Sequence, residues 1–481
     1  MTRQPNILFI LPDQLRHDFL GCYGADFLQT PTIDALAAKG TRYETAISPS
    51  PICVPARASM LTGQHAHATG VIHNLAWLRP DRKHMGIATW PEHLSQAGYR
   101  TEAVGKMHFY PWDIDEGFQH RIISEDKRHI HIQDDYHAAL EAEGFRKDHA
   151  RCHAGYTDQK GASVNPLPDH LQPDRWVALQ AANRIRQLPK DRPFAMMVGF
   201  PGPHCPYDPP AEALDRIDPD RIPPAIPATA ESRTHHDDFI AAYKRDWADL
   251  DYSDLSPAQI KKIRHHYAAL VERLDEDVAS LLDALRETGQ LQNTIVVVAS
   301  DHGDYLGDFG LVGKAYFHEP SIRVPLIVTD FRAPNAQVDR TPVSLLDLFP
   351  SFLAWAGIAP SPIAAGMTLG TADEARTIVG VTSLGTMVRS KDWKLVRYRN
   401  GTEALFDLAA NPQETQNLIG NHEAVRGQLD AALTKQLLEG LTQANADLYV
   451  AEAKSSVGHP FFHRYWRREY PSPIGRDART R

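Results

Sequence analysis

The chain has 481 residues, of which 42% are hydrophobic and 23% are charged, and its formal net charge is −9. These numbers indicate a soluble globular protein with one large domain and a smaller one, and they argue against nucleic acid as the main partner. No apolar run is long enough for a membrane span or a signal peptide, so we expect a cytoplasmic protein without a membrane partner.

Five apolar runs predict buried β-strands, at residues 6–11, 99–104, 193–200, 294–300 and 324–330. Helical segments separate them, which is typical of an α/β fold with a large, mostly parallel sheet between helices. The clearest helix follows Ser256, an N-cap with Pro257 behind it, and ends before Gly289. Shorter helices are predicted at 32–39, 88–97, 175–188 and 344–356.

Polar stretches divide the chain further. We expect a catalytic domain over 1–375, with insertions near 109–175 and 201–255 that shape a substrate entrance. Residues 376–445 predict a small α+β subdomain with a turn at Asn400-Gly401 and a helix over 421–440. The aromatic and basic arm at 446–481 is expected to pack on the body or on a neighbouring subunit, which favours a homo-oligomer.

Groups that ionise or bind metals follow four of the predicted strands directly. They are Asp13 and Gln14 after the first strand, Lys106 and His108 after the second, His204 after the third, and Asp301 and His302 after the fourth. Because the carboxyl ends of parallel strands meet at one edge of a sheet, we expect these side chains to converge.

The chemistry of these groups predicts a site for a metal ion and an anion. Asp13, Asp301 and His302 suit a divalent cation such as Ca²⁺, Mg²⁺ or Mn²⁺, with Gln14 as a ligand or a support. The remaining groups are cationic donors for an anion: Lys106, His108, His204 and Lys314. Singly, each is explained as well by a capped turn or a surface group, but together they favour a site.

Cys53 has an unusual place among the four cysteines, which show no disulfide or zinc spacing and are expected to be free thiols. It lies just before residues 56–63, which can begin a helix, and free N–H groups there favour an anion. Arg57 follows one turn later. A thiolate nucleophile is one interpretation of this arrangement.

The stretch Cys-Val-Pro-Ala-Arg at 53–57 also resembles the signature Cys-x-Pro-Ser/Ala-Arg of the type I, formylglycine-dependent sulfatases of the alkaline phosphatase superfamily. Further stretches resemble the family in order and spacing: "PNILFILPDQ", "TPTIDALAAKGTRYETA", "GKMHF", "PHCPY", "SDHGDYLGD" and "LFDLAANPQETQNL". The resemblance implies an alkaline-phosphatase-like sheet, and it implies that a formylglycine-generating enzyme oxidises Cys53.

The resemblance also implies the site roles. One divalent ion, Ca²⁺ first and Mg²⁺ or Mn²⁺ as alternatives, would be held by Asp13, Gln14, Asp301, His302 and the modified Cys53. Arg57 would stabilise the nucleophile, Lys106 and His108 would flank the aldehyde hydrate, His204 and Lys314 would bind sulfate, and Asn74 would contact substrate. A hydrate oxygen would attack sulfur and form a covalent sulfo-enzyme hemiacetal, His204 would protonate the leaving alcohol, and His108 would take the proton that releases sulfate.

The sequence departs from the common family pattern at two residue pairs, and these differences allow more than one substrate class. Many sulfatases have Asp-Asp and Asp-Asn where this chain has Asp13-Gln14 and Asp301-His302. This variant is similar to choline-sulfatase-type enzymes and to phosphonate monoester and phosphodiester hydrolases. The expected substrate is therefore an aryl, choline or sugar sulfate, with phosphonate monoesters or phosphodiesters as the alternative. A non-catalytic relative and a thiol-dependent hydrolase are disfavoured, because no cluster member is missing and because a thiol would leave the metal ligands without a role.

Overall fold

The structure is a computed structural model that describes residues 4–125, 129–147, 155–246, 250–359 and 361–444. The arm predicted at 446–481 lies outside these residues. Fifteen strands lie within the described ranges: β1 (Asn6–Asp13), β2 (Thr41–Tyr43), β3 (Ala46–Ile47), β4 (Arg100–Gly105), β5 (His120–Ile123), β6 (Phe194–Pro203), β7 (Thr294–Ala299), β8 (Arg323–Val324), β9 (Leu326–Asp330), β10 (Gln337–Asp339), β11 (Val343–Ser344), β12 (Ile378–Val381), β13 (Gly385–Arg389), β14 (Trp393–Tyr398) and β15 (Glu403–Asp407).

Twelve α-helices accompany them in the same ranges: α1 (Pro31–Ala37), α2 (Cys53–Thr62), α3 (Ala66–Thr69), α4 (Trp90–Gln96), α5 (Asp135–Ala142), α6 (Pro173–Gln187), α7 (Ala211–Leu214), α8 (Ala230–Asp246), α9 (Pro257–Glu287), α10 (Glu319–Ile322), α11 (Leu348–Trp355) and α12 (Glu423–Ala444). The helix predicted after Ser256 is confirmed as α9, where Ser256 and Gln259 form a capping box. None of the described helices is long and apolar enough to cross a membrane.

The largest sheet has eight strands in the order β10-β2-β9-β7-β1-β6-β4-β5. All its strands run parallel except β9, which is antiparallel to both of its neighbours, β7 and β2. The mostly parallel α/β sheet is thus confirmed, whereas the run at 324–330 does not join it in parallel. A parallel neighbour needs a crossover connection, which is usually an α-helix packed on the sheet. Between Ala299 and Leu326 the chain instead forms only short elements and returns beside β7.

The core lies on both faces of this sheet. Leu8 and Ile10 of β1 face a buried cluster that includes residues of α6 and α9, whereas Ile7, Phe9 and Leu11 face a second cluster with residues of α4 and α11. Alternate residues of a strand point to opposite faces, so the continuous apolar run of β1 is explained by burial on both sides.

The C-terminal residues form a four-stranded antiparallel sheet in the order β12-β13-β14-β15, against which α12 packs. The turn predicted at Asn400-Gly401 connects β14 and β15, and Gly401 has the positive φ of 89° that such a turn requires. Buried Lys394 of β14 forms ion pairs with Glu319 and Glu414, and Glu319 belongs to α10 beside the large sheet. The predicted domain boundary at 375 and the two insertions stay predictions, and β5, at an edge of the large sheet, comes from within 109–175.

Candidate active site

Four neighbouring strands of the large sheet, in the order β7-β1-β6-β4, end at the same edge. Seven of the predicted site residues lie at these strand ends: Asp13, Gln14, Lys106, His108, His204, Asp301 and His302. Gly105 and Gly199 allow β4 and β6 to approach closely there: the Lys106 N–H donates to the Gly199 carbonyl at 2.6 Å, and Gly105 has a φ of 93°. The convergence expected from the sequence is therefore present around Asp13, Lys106 and Asp301.

A buried cluster at this edge consists of Asp13, Cys53, Asp301 and His302, whose candidate ligand atoms all lie within 4.8 Å of one another. The His302 Nε2 is 3.2 Å from the Cys53 Sγ and 3.8 Å from an oxygen of each carboxylate. The His302 Nδ1 lies 2.9 Å from the Gly303 carbonyl, which leaves Nε2 to face the cluster. Two carboxylates and one imidazole are a donor set that fits a divalent cation.

Two cations hold the carboxylates of this cluster. Arg57 donates through Nε to Asp301 Oδ2 at 2.9 Å and through Nη2 to Asp13 Oδ2 at 3.3 Å, and the Lys106 ammonium lies 2.7 Å from the same Asp13 oxygen. Burial raises the pKa of Asp13, but the attraction of Lys106, His204, Lys314 and Arg57 outweighs it and holds that pKa well below its usual value.

Cys53 is the first residue of α2, so the helix begins at the cysteine itself and not after it. Arg57 follows one turn later, as predicted. Burial and Asp13 raise the pKa of the Cys53 thiol, but Lys314, His302 and Lys106 bring it below its usual value. Asn74 Oδ1 accepts from the Val54 N–H at 3.0 Å, which satisfies a donor of the first turn and brings Asn74 beside Cys53.

Gln14 is held at every polar atom. Its N–H donates to Asp301 Oδ1 at 3.1 Å, its carbonyl accepts from the Tyr267 hydroxyl at 2.7 Å, and its Oε1 accepts from Lys314 at 2.7 Å. Its Nε2 donates to Asp304. The backbone of Gln14 has a φ of 71°, a costly conformation for a residue with a side chain, and one that such contacts can maintain.

The two remaining histidines follow the two strands of the β4–β6 pair, His108 after β4 and His204 after β6. The His204 Nδ1 is 2.6 Å from the Cys205 carbonyl, and its attraction helps to lower the pKa of Asp13. The His108 N–H donates to Glu125 at 2.9 Å, and the His108 ring lies 5.5 Å from the His129 ring, centroid to centroid. His108, with a φ of 60°, thus contacts residues of the stretch 109–175.

Sequence reasoning missed the residues that support this site. Asp304 and Tyr207 lie in the quoted stretches "SDHGDYLGD" and "PHCPY". The sequence therefore offers one signal for them, namely a polar residue close to a predicted site residue. Glu125 and Tyr267 had no such signal, because each lies outside those stretches and meets its partner only in the fold. Cys22, Cys53 and Cys205 take part in no disulfide, as expected, and Cys152 lies outside the described residues.

A family model described as sulfatase matches residues 5–358 of this chain. The chain belongs to the sulfatase family. It is 32% identical to a choline-sulfatase of Rhizobium meliloti over 90% of this chain and 85% of that protein. It is 28% identical to an arylsulfatase of Clostridium perfringens over 95% of this chain and 98% of that protein.

Solved structures share the fold of this sulfatase-family chain. A phosphonate monoester hydrolase of Silicibacter pomeroyi superposes with a TM-score of 0.76 at 22% identity, over 92% of this chain and 96% of that one. The expected α/β fold with a large, mostly parallel sheet is therefore confirmed. The family model and the choline-sulfatase relative confirm the sulfatase resemblance that the motifs predicted.

Proposed function

We propose that this protein is a metal-dependent hydrolase of sulfate monoesters whose nucleophile is formylglycine made from Cys53. The observation that carries the proposal is the position of Cys53: it begins α2 and lies within the cluster of Asp13, Asp301 and His302. A nucleophilic atom at this position would also be a ligand of the bound cation, and the cation would therefore activate it directly. In this proposal the Cys53 Sγ stands for an oxygen of the modified side chain.

The residues that would hold the ion are Asp13, Asp301 and His302, with Gln14 as a further oxygen ligand. We propose Ca²⁺, with Mg²⁺ or Mn²⁺ as alternatives, because oxygen donors dominate the set. When bound, the ion polarises the nucleophilic oxygen and stabilises negative charge on the transferred group.

The protein's own cations would bind the sulfate. Lys106 pairs with Asp13 and Arg57 with Asp301, and the Lys314 ammonium donates to Gln14 Oε1 at 2.7 Å. Ammonium and guanidinium groups fixed in a buried site stabilise charge that develops on nonbridging oxygens, because they need no reorganisation during the reaction.

His204 and His108 are the proposed acid and base. The Nδ1 of His204 lies against the Cys205 carbonyl, so its Nε2 is the atom that would deliver a proton to the leaving alcohol. His108 would take up the proton whose removal releases sulfate, and Glu125 holds the backbone of His108 for this role.

The names of the relatives support sulfate esters as substrates, since one is a choline-sulfatase, another an arylsulfatase and a third an N-acetylglucosamine-6-O-sulfatase. We propose an aryl, choline or sugar sulfate for this chain, with Asn74 contacting the organic half. We also propose that a formylglycine-generating enzyme modifies Cys53. The protein is proposed to be cytoplasmic and to form a homo-oligomer.

Phosphonate monoesters or phosphodiesters are the second candidate, favoured by the Gln14 and His302 variant of the metal site. The test is kcat/KM for an aryl sulfate against an aryl phosphonate monoester and a phosphodiester with matched leaving groups. We expect the sulfate to be preferred. A preference of more than about a hundredfold for the phosphorus substrates, equivalent to about 2.7 kcal/mol, would overturn the sulfatase proposal and establish the second candidate.

A further inference from the structure

Asp304 is a fully buried carboxylate that connects three of the segments around the site. Its Oδ1 accepts from the backbone N–H groups of Leu306 at 3.0 Å and Gly313 at 2.7 Å. Its Oδ2 accepts from the Tyr207 hydroxyl at 2.7 Å and from the Gln14 Nε2. The contacts thus reach the residue after β1, a residue after β6, and the loop after β7 that carries Lys314.

The two partners of the Gln14 amide allow only one orientation of that amide. A carboxylate only accepts hydrogen bonds and an ammonium only donates them, so the amide nitrogen must face Asp304 and the amide oxygen must face Lys314. In the flipped amide, oxygen would oppose carboxylate and the NH₂ group would oppose ammonium. Both contacts would be repulsive in a buried site, where such costs are large.

We propose that Asp304 is a positioning residue: it fixes the Gln14 amide so that Oε1 is presented to Lys314 and to the site. This inference rests on the proposed function for its catalytic consequence. Asp304 itself contacts no reacting atom in this proposal, and it acts through Gln14 and, through Gln14, on Lys314. The loop contacts of Oδ1 keep the carboxylate in place, and the contacts of Oδ2 do the orienting.

Exchanging the acid and the amide tests the proposal. In Asp304→Asn, the N–H groups of Leu306 and Gly313 still require an acceptor, so the new amide oxygen takes the place of Oδ1 and the new nitrogen faces Gln14. Gln14 can then satisfy Asn only by turning its NH₂ group towards Lys314. We expect kcat/KM to fall about ten- to a hundredfold. Gln14→Glu alone opposes two carboxylates and should also lose activity.

The double variant, Asp304→Asn with Gln14→Glu, restores the donor and acceptor pairs among residue 304, residue 14 and Lys314 and keeps the net charge. The Tyr207 hydroxyl, which donates to Asp304 Oδ2 in the wild type, would accept from the new amide nitrogen instead. The nitrogen at 304 donates to the carboxylate at 14, which also accepts from Lys314. We expect the double variant to recover to within about fivefold of the wild type. Its melting temperature and metal content per chain should likewise lie closer to the wild type than those of either single variant.

A different pattern is expected if Asp304 only holds the loop through Leu306 and Gly313 and does not orient Gln14. The losses of the two single variants would then add, in melting temperature and in kcat/KM, and that outcome overturns the proposal. Asp275→Asn is the matched control, since buried Asp275 also accepts two backbone N–H groups, those of Thr32 and Ile33. It should leave kcat/KM unchanged. If the wild type cleaves neither sulfate nor phosphorus esters, the proposed function fails, and the pattern of melting temperatures still decides the orientation of Gln14.

Discussion

At the scale of single residues, Asp13 and Asp301 divide their carboxylate oxygens between a cation and the centre of the cluster. The Oδ2 atoms pair with Lys106 and Arg57, whereas the Oδ1 atoms lie 3.8 Å from the His302 Nε2. The cations therefore orient the carboxylates as well as neutralise them. Substitution of any residue in this set is expected to cost more than the loss of its own charge, because its buried partners are then left unpaired.

Asp301→Asn tests this interdependence. The substitution keeps the shape of the side chain but removes a charged oxygen ligand and weakens the pair with Arg57. We expect metal content to fall and turnover to drop by about a thousandfold.

Asp347→Asn is the matched control for Asp301→Asn. Asp347 is equally buried and pairs with Arg376 at 2.5 and 2.8 Å, but it lies outside the site. It should reduce the free energy of unfolding while kcat and metal content stay unchanged. An unchanged rate and metal content in Asp301→Asn itself would mean that the cluster is not the metal site.

At the scale of elements, the close approach of β4 and β6 fixes the distance between Lys106 and Asp13. Residue 199 has no room for a side chain, since a Cβ there would overlap the Lys106 carbonyl oxygen. That oxygen also accepts from Arg57 at 2.9 Å. The two strand ends and α2 are therefore connected through the backbone of one residue, Lys106, whose N–H bonds to Gly199 and whose carbonyl bonds to Arg57.

Gly199→Ala is expected to push the Lys106 peptide away from β6. The free energy of unfolding should fall by about 1–3 kcal/mol, as for other overpacked cores, and turnover should fall with it because Lys106 and Arg57 both move. Gly427→Ala in α12 is the control: a Cβ there meets no atom, and alanine favours a helix. Chemical denaturation and kcat/KM measured on both variants check the expectation. Wild-type stability and turnover in Gly199→Ala would contradict it.

The elements differ in how far the sequence predicts them. Runs such as 294–300 predict strands well because residues buried on both faces are apolar throughout. The two- and three-residue strands β2, β3, β8, β10 and β11 carry too few residues for any period. The reversed direction of β9 follows from the connection between β7 and β9, and an apolar run contains no information about direction.

The site residues likewise differ in how far the sequence predicts them. Ligand types directly after strands predict Asp13, Asp301 and His302, because parallel topology brings the strand ends together. Asp304 is recognisable only from its contact with Gln14, which lies 290 residues away in the chain. A buried partner of this kind is defined by the fold and not by local spacing.

At the scale of the whole molecule, two buried histidines and one half-buried histidine make stability depend on pH. Burial lowers the pKa of His17 and His266 to about 4 and that of His65 to about 3. Below pH 6.5 the unfolded chain takes up a proton at each, and the folded chain does not until near pH 4 at His17 and His266 and near pH 3 at His65. Each therefore contributes stability that is lost as the pH falls from about 6.5 to its folded-state pKa. Asp277 opposes this, because burial raises its pKa to about 7 and the folded state keeps that proton.

His266→Asn isolates one of these contributions. The His266 Nδ1 contacts the carbonyls of Ser163 and Tyr207 at 3.1 and 3.0 Å, and the amide of asparagine can donate to the same atoms. We expect the free energy of unfolding to vary less steeply between pH 6.5 and 5, by about 1 kcal/mol per pH unit. At pH 8 both side chains are neutral, so the difference there gives the packing cost. An unchanged slope would mean that His266 is charged in the folded protein.

The most direct test of the central claim relates activity to the chemical state of residue 53. Preparations made with increasing amounts of a formylglycine-generating enzyme are digested, the fraction of aldehyde at residue 53 is measured by peptide mass, and aryl sulfate turnover is measured on the same samples with Ca²⁺ present. The account predicts turnover proportional to the aldehyde fraction and reaching zero with it, and nearly complete loss in Cys53→Ala. Full turnover in a preparation that is entirely unmodified thiol would contradict it.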